Sequence, residues 1–229
     1  MNKALKIVLE IVLALAAVGI VYAIYSSIME PVHFNRQKAA REAVAIQRLK
    51  DIRTLEVAFK SATNHFTADM DSLKAFYETG KMDVVMQIGS QDDSIAVANT
   101  ATLRKKNRKI TNEELLSIYR QGTPVVFSIS TPIAVKDTLF HGREDFVIDS
   151  LAYIPFSGGQ KVEMAAVVKT VSGVQVPLFE AKMPYRALLK GLDNQLRINL
   201  DAEREAQNRY EGLMVGSVSA PNNNAGNWE

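Results

Sequence analysis

The chain has 229 residues, 47% of them hydrophobic and 23% charged, with a formal net charge of +2, three histidines and no cysteine. The lack of cysteine excludes disulfide frameworks, thiolate metal sites and cysteine nucleophiles, and His33, His65 and His141 are too few for a His-rich metal centre. The near-neutral balance does not suit a dedicated nucleic-acid binder, whose affinity comes mostly from neutralising phosphates.

The apolar residues are concentrated at the start of the chain. From Ile7 to Met29 the only charged residue is Glu10. At about 1.5 Å of helical rise per residue this stretch covers roughly 34 Å, enough to cross a hydrocarbon core of about 30 Å. Tyr22 and Tyr25 toward one end, and Lys3 and Lys6 at the other, suit the two membrane interfaces. The reading is a permanent anchor. A cleavable signal peptide, with Val21-Tyr22-Ala23 as its processing site, is the competitor, disfavoured by the length of the apolar region and by Glu10. The short basic start favours export of the chain beyond the span, against the pull of Arg36, Lys38, Arg41 and Arg48 just past it. Glu10 has two readings. A carboxylate in an apolar span is costly, which makes it a functional candidate. One turn from the membrane edge, it can instead pair with Lys6 four residues earlier.

Beyond Pro31, where a bend is expected, a second helical pattern begins. Ala45, Leu49, Ile52, Leu55, Phe59 and Ala62 recur at spacings of three and four, predicting a buried stripe. The Ala-rich part from Lys38 to Ala43 has little apolar bulk and is expected outside the core. A turn at 64–71 leads to a short helix over Ser72 to Thr79 with Asp71 as its cap, and then to a strand over Asp83 to Ile88. The segment from Gly89 to Lys109, ending in a basic run over 104–109, lacks both periods and reads as a solvated loop. Thr111-x-x-Glu114 is a capping box opening a helix to Gln121.

From Thr123 the composition turns to strands. These are expected over Pro124 to Ser130, Phe146 to Ile154, Lys161 to Thr170 and Val174 to Met183, the last two joined as a hairpin across Ser172-Gly173. The apolar parity switches after Leu178, which suggests a bulge, and Pro177 suggests an edge strand open to a partner. A helical patch comes next over Tyr185 to Leu192, then a polar stretch over Asp201 to Arg209. The final residues from Ala220 read as a tail in which Trp228, the only tryptophan, is a candidate for docking into a groove. No repeat is visible in the sequence.

A search for chemistry is mostly negative: there is no nucleophile elbow, Walker A motif, dinucleotide fingerprint or H-E-x-x-H pair. Ser157-Gly158-Gly159 reads as a turn rather than an oxyanion loop, and His141 to Asp145 as a polar loop. Asp92-Asp93 and Asp69/Asp71 lack the ligand series of a calcium loop. No catalytic residue, cofactor site or metal site is expected.

Leu9-Glu10-Ile11-Val12, then Arg36-Gln37-Lys38-Ala39, Ile52, Asn64-His65-Phe66 and Asp71-Ser72-Leu73, succeed one another in an order that resembles type IV pilins and type II secretion pseudopilins. The resemblance covers about a third of the chain, the apolar helix with an early Glu and its amphipathic continuation. It implies that Glu10 registers neighbouring subunits. The prepilin peptidase site of that family is missing, since no Gly lies near Lys6, and Lys6 itself stands where the family has Phe. The ending Asn222 to Glu229 also resembles uncharacterised membrane-anchored proteins of Bacteroidota. The expected architecture is α+β: a transmembrane anchor over residues 1–30, a long juxtamembrane helix over 31–63, an extracytoplasmic and mainly antiparallel β domain with short helices over 64–219, and a tail over 220–229. The expected role is a non-enzymatic structural subunit of a secretion or pilus-like assembly, or a tethered accessory subunit that forms no filament. Its partners would be the lipid bilayer and protein subunits, copies of itself included, with no nucleic acid. Glu10 and Lys6 are the expected contacts in the membrane, and Pro177 and Trp228 the expected docking points.

Overall fold

One helix, α1, runs unbroken from Lys3 to Thr63 in a computed structural model that describes residues 3–229. Residues 1–2, the first of the expected anchor, lie outside the described residues. The helix continues through Pro31. The rest of the chain is mixed α and β, so the fold is α+β with antiparallel sheets. The elements are α2 (Met70–Thr79), β1 (Lys81–Ile88), α3 (Ser94–Lys106), α4 (Asn112–Arg120), β2 (Phe127–Ala134), the one-turn α5 (Val135–Thr138), a 3-10 turn over Ile148–Ala152, β3 (Glu163–Val171), β4 (Val174–Pro184), the one-turn α6 (Tyr185–Leu188), α7 (Asn194–Ala206) and β5 (Gly212–Gly216).

The domain expected over 64–219 resolves into two compact units, each of which also takes part of α1. The first comprises Met1–Glu56, Phe66–Met70 and Val147–Glu229; the second comprises Val57–His65 and Asp71–Phe146. α1 is shared between them, its residues up to Glu56 in the first unit and those from Val57 in the second.

In the first unit β3, β4 and β5 form an antiparallel sheet in that order. Ala45, Leu49, Ile52 and Leu55 of α1 are fully buried, as their spacing predicts, along with Phe179, Ala181, Met183, Leu188 and Val215. Phe66 reaches Phe179 with ring centroids 4.8 Å apart. The β3–β4 hairpin turns at Ser172 and Gly173, both with positive φ, as a tight two-residue turn matched to strand twist requires. Its register runs without interruption from Glu163↔Lys182 to Val171↔Val174, so there is no bulge. The parity switch has another cause: from Leu178 to Ala181 consecutive side chains are buried, so apolar residues occur on both faces.

Pro177 lies in the middle strand, not an edge strand, but β5 pairs only with Glu180 to Pro184. The Val174–Phe179 stretch therefore has β3 on one side and no strand on the other. Hydrogen-bonded and non-bonded pairs alternate from the closing Val171↔Val174 pair, which aims the Pro177 backbone away from β3. The missing N–H falls on the open side, where no ladder bond is lost.

In the second unit β1 and β2 form a two-stranded antiparallel sheet. Ala58, Phe76 and Val135 make one core cluster, and Leu115, Val125 and Phe127 another. Phe59 meets Phe76 edge to face at 5.3 Å. The capping box is formed, with Thr111 Oγ1 accepting from Glu114 N and Glu114 Oε2 accepting from Thr111 N. Asp71 falls in the first turn of α2 rather than before it.

The predicted loop at 89–109 contains α3 instead. Asp93 Oδ1 accepts from the N–H groups of Ile95 and Ala96, and the basic residues Arg104, Lys105 and Lys106 sit in the last turn, where the helix dipole favours cations. The strand predicted over Phe146 to Ile154 is mostly the 3-10 turn, reduced to a single bridge between Tyr153 and Lys161.

Both units carry the same backbone motif, invisible as a sequence repeat. A strand enters a one-turn helix directly, and the first helical N–H donates to the residue that precedes the partner strand. Val135 N donates to Gly80 O (3.1 Å) in one unit, and Tyr185 N to Glu211 O (2.9 Å) in the other. A longer helix leads into the partner strand in each case, α2 into β1 and α7 into β5, but the two halves occur in opposite chain order.

Candidate functional site

Among the described residues, the most hydropathic window of α1 has none buried, and side chains such as Leu13, Val18, Ile24 and Ile28 are more than half exposed. This helix is long and apolar enough to cross a membrane. Lys6 and Glu10 lie on its surface with Nζ and Oε1 3.9 Å apart, both exposed, so the expected pairing forms within the helix.

Further along, α1 is fastened to the first unit by polar side chains one or two turns apart. Lys38 Nζ lies 3.6 Å from Glu42 Oε1. Tyr185, fully buried at the start of α6, donates its hydroxyl to the same oxygen at 2.5 Å, and Arg204 of α7 donates to the Tyr185 hydroxyl at 2.8 Å. Burial and the adjacent Glu42 carboxylate push the Tyr185 phenol well above its usual range. One α1 turn C-terminal to Lys38, Arg41 donates to the carbonyls of Leu188 and Lys190 at 3.0 and 2.9 Å, with its guanidinium over the Phe156 ring at 4.9 Å. Arg48 donates to the carbonyls of Ser150 and Tyr153. Arg53 reaches the Asn224 carbonyl and the Glu229 carboxylate, at 3.2 and 2.7 Å.

The Ala-rich segment from Lys38 to Ala43 is therefore part of the folded unit, contrary to expectation. Ala39, Ala40 and Ala43 are exposed, while the half-buried Lys38, Arg41 and Glu42 make the contacts. The arrangement ties α1 to the first unit through directional hydrogen bonds.

Trp228 is held against its own chain. Gly216 N donates to Ala225 O and Asn227 N to Met214 O, both at 3.0 Å, so residues 225–227 line the outer side of β5. The indole lies where a Cβ on Gly226 would be, which only glycine permits. Pro177 is on the open stretch of β4, where it removes one donor from the edge and so weakens strand addition there. Ser157 Oγ donates to Ile154 O and accepts from Gln160 N, as a turn residue does. Arg143 and Asp145 pair at 3.0 Å beside exposed His141. Asp93 is a helix cap, and no group of three His, Asp or Glu side chains converges for a metal among the described residues.

Sequence reasoning singled out Lys6 and Glu10 but missed Glu42, Tyr185 and Arg204. The available signal was charge within an Ala-rich stretch that needed none for solubility. No protein-family model, no curated protein and no solved structure matches this chain.

Proposed function

We propose that the chain is a single-pass protein of a bacterial inner membrane, its folded units periplasmic, which acts as a non-enzymatic structural subunit of a secretion or pilus-like assembly. The observation that carries the reading is the uncovered apolar half of α1, continuous with a helix fastened at Lys38, Arg41, Glu42, Arg48 and Arg53 to the first unit. Such a surface needs lipid or other apolar helices around it. The fastened half makes a lateral contact in the membrane felt by the folded part. The pilin-like order of parts in the sequence supports the same reading, with Glu10 aligning neighbouring helices.

Glu10→Ala in the full-length protein in detergent is expected to weaken association with itself or with partner subunits, read by cross-linking, while circular dichroism stays unchanged. A strictly monomeric protein indifferent to Glu10 would remove the idea.

The second reading is a tethered accessory subunit that forms no filament. The Lys6–Glu10 pair favours it, because Glu10 then has its charge partner in its own helix. Under this reading Glu10→Ala leaves partner capture intact and substitutions on the folded units abolish it.

A further inference from the structure

Among the described residues, a recess in the first unit holds two buried polar atoms that the fold leaves unused. It lies in the first unit between the end of β4, α6, α7 and the entry to β5, has a volume of about 260 Å³, and is lined by Glu163, Arg186, Arg197, Asp201, Tyr210 and Glu211 together with Pro184. Two of its groups, Asp201 Oδ1 and the Tyr210 hydroxyl, are buried with no hydrogen-bond partner in the protein. Leaving such groups unmatched is costly, on the order of 1–3 kcal/mol each, and two in one recess is a concentration that core packing does not explain.

The charges around them decide what fits. Arg197 is already committed, donating to Asp201 Oδ2 and, through Nε and Nη2, to Asn194 Oδ1. Arg186 faces Glu163 at 3.9 Å from the exposed rim. Lys182 pairs with Glu180 and lies over the Tyr210 ring at 5.3 Å, so it too is engaged. The lining then has three carboxylates, from Glu163, Asp201 and Glu211, against two guanidiniums. The free groups are an anionic acceptor and a hydroxyl that can accept or donate. An anion would face a carboxylate oxygen that accepts no hydrogen bond and offers none, whereas a nitrogen cation supplies donors to both groups. The volume suits a group the size of one side chain and excludes a nucleotide.

We propose that this recess binds an organic nitrogen cation, a primary ammonium or guanidinium group, between Asp201 Oδ1 and the Tyr210 hydroxyl. The cation comes either from a free small amine or from a lysine or arginine side chain of a protein partner. The assignment does not depend on how the chain assembles in the membrane.

The test is calorimetric titration of full-length protein in detergent with n-butylammonium chloride, methylguanidinium chloride and a short peptide bearing one central lysine, against sodium chloride at equal concentration. Saturable binding of the organic cations is expected. Tyr210→Phe, which removes one hydrogen bond to a charged group, and Asp201→Asn, which removes the carboxylate charge, should each weaken it by about tenfold. Tyr210→Phe keeps the ring, so the test survives if Asp201→Asn disturbs α7. Tighter binding of the peptide than of butylammonium identifies a protein side chain as the source, and the reverse identifies a free amine. Heats no different from sodium chloride, or binding indifferent to both substitutions, would overturn the assignment.

Discussion

Glu56 sits in an environment far from that of an ordinary carboxylate. It is fully buried on α1, with Oε2 accepting from Thr67 N at 3.2 Å and Oε1 without a partner in the protein. Burial pushes its carboxyl up to about 8, opposed only by the Thr67 hydrogen bond. Because the folded value lies above the unfolded one, the protonated acid stabilises the fold fully below the unfolded value, and that contribution is lost as pH rises toward about 8. Over that window stability should fall by about 1.4 kcal/mol per pH unit. Urea unfolding midpoints of the detergent-solubilised chain should decline between about pH 5 and pH 8, and Glu56→Gln should flatten the decline. An unchanged slope in the variant would assign the dependence to other groups. At the same scale, Tyr185→Phe leaves Glu42 and Arg204 without the hydroxyl between them and should cost about 2 kcal/mol. Combining it with Glu42→Ala in a double-mutant cycle should give less than the sum, since both remove the same hydrogen bond. Glu56 and Tyr185 could not be singled out from sequence, because nothing adjacent to either in the chain reveals what buries it. The Lys6–Glu10 pair, four residues apart on one helix, could.

Elements divide along the same line. Where the determinants are local, the sequence reading holds: the capping box at Thr111, the Ser172-Gly173 turn and the stripe from Ala45 to Leu55 all form. The stripe ends differently from expectation, with Ala58 buried and Ala62 exposed, because the helix passes there into the second unit. α3 escaped notice because only Ala96 and Thr100 of its side chains are buried, leaving a weak apolar period. Its cap was nevertheless present in the sequence as Asp93. Asp93→Ala should cost about 1 kcal/mol, measured as a lower unfolding midpoint for the second unit. Gly173→Val should be worse placed than an ordinary loop substitution, since φ of +83° at that position costs a side-chain-bearing residue about 1–2 kcal/mol. β5 and the inner position of β4 are decided by pairing between residues far apart in the chain. The 3-10 turn over Ile148–Ala152 has a β-like composition, and its carbonyl at Ser150 instead accepts from Arg48.

For the whole molecule, the composition itself supplies a check on the expected anchor and export. Since the chain has no cysteine, a single Ala101→Cys substitution on the exposed side of α3 gives one labelling site. A membrane-impermeant maleimide should label it in intact spheroplasts without lysis, and labelling only after lysis would reverse the orientation. The sequence by itself determined the apolar span, its helical continuation, the α+β class and the hairpin, because each depends on residue periodicity or turn chemistry within a few positions. Tertiary structure alone decided the split into two units, the seating of the Ala-rich helix on α6, the return of residues 225–227 to β5 and the recess around Asp201 and Tyr210. These depend on which distant backbone and side-chain groups burial brings within hydrogen-bond reach, and local pattern carries no record of that.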